Sequence, residues 1–161
     1  MSRLSQISTA LNPCMTRVLS SPFLHWPVST QIMLVKFTGK KSGRVFTTPM
    51  AYHQFDDIIL IALAETKGRN WWRNYREVAP MDLLIKGKWV SGFASVLTPE
   101  NPEYKSWFEA IFSRASFIPK IFLADYDKRR GLSAEQIDSL HAKSGLVKFT
   151  RQREDHEIQA R

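Results

Sequence analysis

At 161 residues the chain has the length of one domain, and 43% hydrophobic residues, with five Trp and ten Phe, suffice for a packed core. A single cysteine, Cys14, excludes an intrachain disulfide and suits a reducing compartment, where it serves as a small apolar filler. The net charge of +8 permits nucleic acid, an anionic membrane or an acidic small molecule as partner, while the longest apolar run, the seven residues Ile58 to Ala64, excludes a membrane-spanning helix.

Taken in chain order, Pro13, Arg17, Pro22 and Pro27 interrupt the first thirty residues, so no secretory signal reads there and a cytoplasmic location is expected. Asn12-Pro13 starts a short helix with Cys14, Met15, Val18 and Leu19 on one face. That face is expected to pack over one end of the core, with peripheral membrane contact as the competing use. Gln31 to Thr38 and Val45 to Tyr52 read as paired strands around the turn Gly39-Lys40-Lys41-Ser42-Gly43, and Pro49 marks an edge or bulge. Asp56-Asp57 turns the chain into a buried strand, Ile58 to Ala64.

Asn70 to Tyr75 is read as one or two helical turns. Met81 to Ile85 and Lys88 to Leu97 form a hairpin about Lys86-Gly87. A helical excursion over 98–145 follows. Its first helix begins near Thr98-Pro99-Glu100 and runs through Tyr104 to Phe112, and its second covers Ile118 to Arg129. The third starts at a capping box, Ser133-Ala134-Glu135-Gln136, and is ended by Gly145. Leu146 to Arg151 closes the core as a last strand, and residues 152–161 form a polar tail. The elements give antiparallel β plus helices in a single domain over 1–161, with its core in 31–97.

The basic residues gather in two places. Lys36, Lys40, Lys41 and Arg44 surround the first turn, and Lys67, Arg69, Arg73 and Arg76 surround the aromatic segment Trp71-Trp72. A turn with free backbone N–H groups and clustered cations suits a phosphate. It is no Walker A loop, since the spacing is wrong and no helix follows. The competing reading is an ordinary solvated hairpin turn. His25, His53, His141 and His156 lack any metal-ligand spacing, so no metal is expected.

Thr38-Gly39-Lys40-Lys41-Ser42-Gly43 with Thr47-Thr48-Pro49, followed by Trp71-Trp72-Arg73-Asn74, resembles the deazaflavin-dependent nitroreductase/quinone reductase family, in motif order and in spacing, from about Pro22 to Leu97. The resemblance implies a small antiparallel split β-barrel of about six strands with peripheral helices, an α+β fold like that of pyridoxamine-phosphate oxidases. It implies hydride transfer from the reduced deazaflavin coenzyme F420, with FMN as the alternative cofactor, to a nitro, quinone or enone-type acceptor. By the same resemblance Lys40, Lys41, Ser42, Gly43 and Arg44 meet the cofactor's acidic tail, and Thr47, Thr48 and Pro49 shape the strand beside its ring. Trp71, Arg73 and Asn74 border the site, and Tyr52 faces the acceptor as the catalytic candidate. Phe46 departs from the pattern, standing where many members carry a second basic residue.

Hydride transfer needs positioning rather than a protein nucleophile, so the lack of a serine, cysteine or metal constellation is expected. Two readings from other classes compete: a non-catalytic carrier of an apolar carboxylate such as a fatty acid, and a single-strand nucleic-acid binder. The second is set aside because Trp71, Trp72 and Tyr75 bunch beside a helix instead of alternating along exposed strands. The expected partners are thus a small-molecule acceptor and no nucleic acid, with a homodimer left open.

Overall fold

The computed structural model describes residues 31–40, 42–64, 66, 70–123 and 125–152. The N-terminal helix, Lys41, the Lys67 to Arg69 cations and the polar tail from 153 onward lie outside the described residues.

Seven strands form one antiparallel sheet: β1 (Ile32–Thr38), β2 (Val45–Ala51), β3 (His53–Phe55), β4 (Ile58–Leu63), β5 (Ala79–Ile85), β6 (Lys88–Leu97) and β7 (Gly145–Arg151). The order across the sheet is β2-β1-β5-β6-β7-β4-β3. Its two edges, β2 and β3, are consecutive in the chain and separated only by Tyr52. One extended run therefore pairs with β1 along its first half and with β4 along its second. That change of partner curls the sheet into a split barrel, with a seam at Tyr52. Pro49 sits on an edge strand, opposite Leu34, where its missing N–H costs no second ladder.

Alternation along the strands sorts residues into an inner and an outer set. Met33 and Val35 of β1, Met81, Leu83 and Ile85 of β5, and Val147 and Phe149 of β7 fill the barrel with Tyr52 and Tyr75. Gly92 on β6 is needed for that packing. A Cβ there would meet the Phe149 ring at 2.6 Å and press on the Thr150 carbonyl. A second core lies outside the barrel. Leu60, Leu97 and Leu146 are covered by helices α1 (Glu103–Phe112), α2 (Ile118–Phe122) and α3 (Ala134–Lys143), through Tyr104, Phe108, Ile111, Ile118 and Leu140.

Three helix boundaries differ from the sequence expectation. The first helix starts at Glu103, because residues 98–102 are spent on a turn in which Asn101 N–H reaches the Thr98 carbonyl, and Asn101 Oδ1 then accepts from Glu103 N–H at 2.8 Å. The second spans only Ile118–Phe122, since Leu123 is extended and Asp127 folds the next residues into a turn by accepting from Arg129 N–H. The third opens on the expected capping box. Ser133 Oγ accepts from Gln136 N–H, and Gln136 Oε1 accepts from Ser133 N–H. It is ended by extended Ser144, while Gly145 already belongs to β7.

Candidate active site at the barrel seam

Where a strand changes partner, the ladder is interrupted and the wall opens. A cleft of about 950 Å³ lies at the seam. Thr48, Pro49, Tyr52 and His53 line one side of it, Ile61 to Ala64 of β4 another, and Trp71 a third. Trp71 comes from a 3-10 turn, Trp71–Tyr75, that follows β4. Four of the expected residues, Thr48, Pro49 and Tyr52 from one extended run and Trp71 from a distant turn, therefore meet in one cavity. Thr47 does not join them. It pairs with exposed Lys36 and faces away from Thr48, on the outer surface.

The basic turn stands at the far end of the β1–β2 hairpin. Gly43 takes the left-handed conformation, φ 63°, that the tight reversal demands. The expectation of free backbone donors is corrected here. Gly39 N–H bonds the Arg44 carbonyl, Ser42 and Gly43 N–H share the Gly39 carbonyl, and Arg44 N–H reaches Ser42 Oγ. The turn has closed these donors on itself, so an anion there is met by side chains: exposed Lys40 and Arg44, and the Ser42 hydroxyl proton. Lys40 is shared with Glu77, at 3.5 Å.

Between turn and cleft runs an aromatic floor. Phe46 stacks on Phe37 across the hairpin with ring centroids 5.5 Å apart, and Phe37 meets Trp71 at the same distance. Phe46, which replaces a basic residue of the pattern, is thus a half-exposed floor tile. Arg44, Phe46 and Thr48 alternate onto one face, so four residues of strand, about 13 Å, separate the guanidinium's backbone from Thr48. Asn74 Nδ2 donates to the Thr38 carbonyl at 3.4 Å and ties the 3-10 turn to the end of β1. Arg73 lies over the Trp72 ring, 5.4 Å from its centroid, and does not line the cleft.

Two polar groups in the cleft have been tuned by burial. Tyr52 is 6% exposed, and desolvation raises its pKa above the ordinary 10, so it keeps its proton at neutral pH. His53 is held below its usual pKa by burial and by the Arg114 guanidinium, so it stays neutral there. Trp71 Nε1 is buried and has no hydrogen-bond partner among the described residues.

The fourth wall is one the motifs did not locate. Arg114, Phe117, Ile118, Ile121 and Phe122 close the cleft from α2 and the segment before it. From the sequence, the aromatic-rich stretch Trp107 to Phe122 reads as helical core with a wall of the substrate pocket as the competing use, and the structure divides it between the two. Phe108, Ile111 and Phe112 are core, whereas Phe117 and Ile121 stay exposed, at 62% and 56%, on the cleft's rim. Arg114 fixes this rim to the barrel by donating to the Gln54 carbonyl and lying 4.2 Å from the Phe55 ring centroid.

A family model for F420H(2)-dependent quinone reductase matches residues 22–118, more than half of the sequence. The chain belongs to that family. It is accordingly an oxidoreductase, a deazaflavin-dependent reductase whose family cofactor is coenzyme F420. Two solved structures agree on the fold of this quinone reductase family member. A domain-swapped dimer aligns over 92% of this chain and 99% of its own at 11% identity, with TM-score 0.53. A pyridoxamine 5'-phosphate oxidase-related, FMN-binding protein of Nostoc punctiforme PCC 73102 aligns over 88% and 80% at 7% identity, with TM-score 0.50. The F420-H2 dependent reductase FDR-A is 17% identical over 74% of this chain and 93% of its own, with TM-score 0.49. No curated protein matches the chain.

The cleft fits the family's cofactor on its own terms. Trp71 Nε1 is a buried donor without an acceptor among the described residues, which a ring system edged by carbonyl oxygens would satisfy, and Phe46, Phe37 and Trp71 give a planar molecule a flat floor. Among the described residues no helix is long and apolar enough to cross a membrane.

Proposed function

We propose that this reductase transfers a hydride to a flat, apolar acceptor of the quinone, nitroaromatic or enone class, bound in the seam cleft. The observation that carries this reading is the meeting of Tyr52, Trp71 and the apolar rim Phe117–Ile121 around one cavity. F420 supplies the hydride when bound. Lys40, Ser42 and Arg44 hold its acidic tail, with Lys41 added from the motif, and Phe46 and Trp71 support its ring.

The protein's own contribution is placement and a hydrogen bond. Holding two reactants in one water-poor cavity removes most of the entropic cost of their encounter. A hydride added to a carbonyl or nitro acceptor leaves negative charge on oxygen. The Tyr52 hydroxyl, kept protonated by burial, donates a hydrogen bond to that developing charge. The rim excludes water and grips the acceptor's apolar body. His53, neutral and half-buried beside Tyr52, adds no charge that would oppose this.

The test is oxidation of reduced F420 by a series of quinone, nitroaromatic and enone compounds, with FMN in place of F420 as the second arm. Acceptor-dependent turnover that falls when Ile121 is made Glu supports the cleft as the acceptor site. Turnover indifferent to that change removes it. Tight binding of a fatty acid with no turnover in either arm would make the protein a carrier.

A further inference from the structure

Trp71 and Trp72 are neighbours that look into different spaces. Behind Trp72 lies a second pocket of about 500 Å³, between the 3-10 turn, α1, the end of α3 and the start of β7. None of the residues described in its wall also lines the seam cleft. Trp72, Arg73 and Arg76 enter it from the turn, Tyr104 from α1, and His141 and Ser144 from the end of α3.

Two atoms of this wall are buried without a partner. Trp72 Nε1 and the Tyr104 hydroxyl make no hydrogen bond of proper geometry among the described residues, and Tyr104 is only 2% exposed. Ser144 neighbours that hydroxyl without hydrogen-bond geometry in either direction, and its own proton goes to the Leu140 carbonyl. Groups of this kind are costly to leave unpaired inside a fold. Arg73 and Arg76 have no carboxylate within ion-pair distance among the described residues, and none of the wall residues described is Asp or Glu. Trp Nε1 and guanidinium groups can only donate, and a protonated tyrosine hydroxyl donates too. Donors facing a cavity from several elements select a ligand rich in acceptors and negative charge.

We propose that this pocket is a binding site for a small oxygen-rich anion, a phosphate or a carboxylate. Arg73 and Arg76 supply the charge, and the Trp72 indole and Tyr104 hydroxyl complete its coordination. This is separate from the seam cleft and independent of how the acceptor is reduced.

The experiment follows the indole N–H resonances of the full chain, without added cofactor, as inorganic phosphate or glutarate is titrated in. The chain has five Trp, and the Trp72 signal is the one lost in Trp72→Phe. The expected result is a saturable shift of that signal, with a dissociation constant below about 10 mM, that Arg76→Gln weakens at least about tenfold. Response to phosphate alone assigns an oxyanion site, and response to glutarate alone a carboxylate site. No saturable shift with either anion, or a smaller loss in Arg76→Gln, overturns the proposal. If Arg76→Gln does not fold, Tyr104→Phe, which removes one atom, replaces it with a threshold of about threefold.

Discussion

Arg44 and Tyr52 carry the most weight of any single side chains in this account, and they fail differently. Arg44 is exposed on the closed turn, so Arg44→Gln should leave the melting temperature unchanged. It should weaken F420 binding by about 1–3 kcal/mol, the range for a lost charge-assisted contact, in an equilibrium titration. Unchanged affinity would remove the turn as the anchor. Tyr52→Phe should lower kcat by more than it raises the F420 dissociation constant, if its hydroxyl meets the acceptor as proposed. Equal effects on both would make it a cofactor contact instead. His53 gives a pH signature. Its folded pKa is depressed, so its contribution to stability is complete above the unfolded value near 6.5 and is lost as pH falls through the folded one. Melting temperature should therefore drop as pH falls below the unfolded value near 6.5, and His53→Gln should shrink that drop. The motif residues of the cleft were legible because they share a face of one strand or sit in one short turn. That the N–H groups of Gly39, Ser42, Gly43 and Arg44 are already bonded was not legible. Two glycines and a serine permit either an open nest or a closed reversal, and only the positions of the carbonyls decide.

Among the elements, six of the seven strands were read to within two residues at each end, since turn chemistry and alternation fix them, whereas β3, His53–Phe55, was missed because it continues β2 across Tyr52 with no turn between them. The Ile118 to Arg129 helix was read too long. Its length was inferred from composition, and Pro119, Asp125 and Asp127 each had another use: helix start, Gln136 partner and turn. Which part of Trp107 to Phe122 would be core and which pocket rim was not legible either, as a five-residue helix has too few turns to show an exposed stripe. Two substitutions test how the elements are held. Ser133→Ala removes the α3 cap and should cost about 1 kcal/mol in urea unfolding. No change there would mean that Gln136, through its bond to Asp125, fixes the helix start alone. Gly92→Ala should cost at least about 1–3 kcal/mol, because the Phe149 ring and Thr150 backbone would have to move. Wild-type stability in that variant would contradict the packing of β6 against β7.

For the whole molecule, the barrel's seam explains why a site exists and where. A closed ladder has no opening, and a strand that trades β1 for β4 at Tyr52 must leave one. The basic turn, the aromatic floor, the seam and the α2 rim then lie in sequence along a path from charged to apolar, which is the polarity of a tailed redox cofactor with its acceptor. The most direct measurement is the rate at which reduced F420 is oxidised by a simple quinone, with wild-type protein and without it. The account predicts rapid, saturable oxidation that requires the protein and collapses in the Arg44→Gln, Tyr52→Phe double variant. Oxidation at the protein-free rate, with the folded wild-type protein present at concentrations that bind F420, would contradict it.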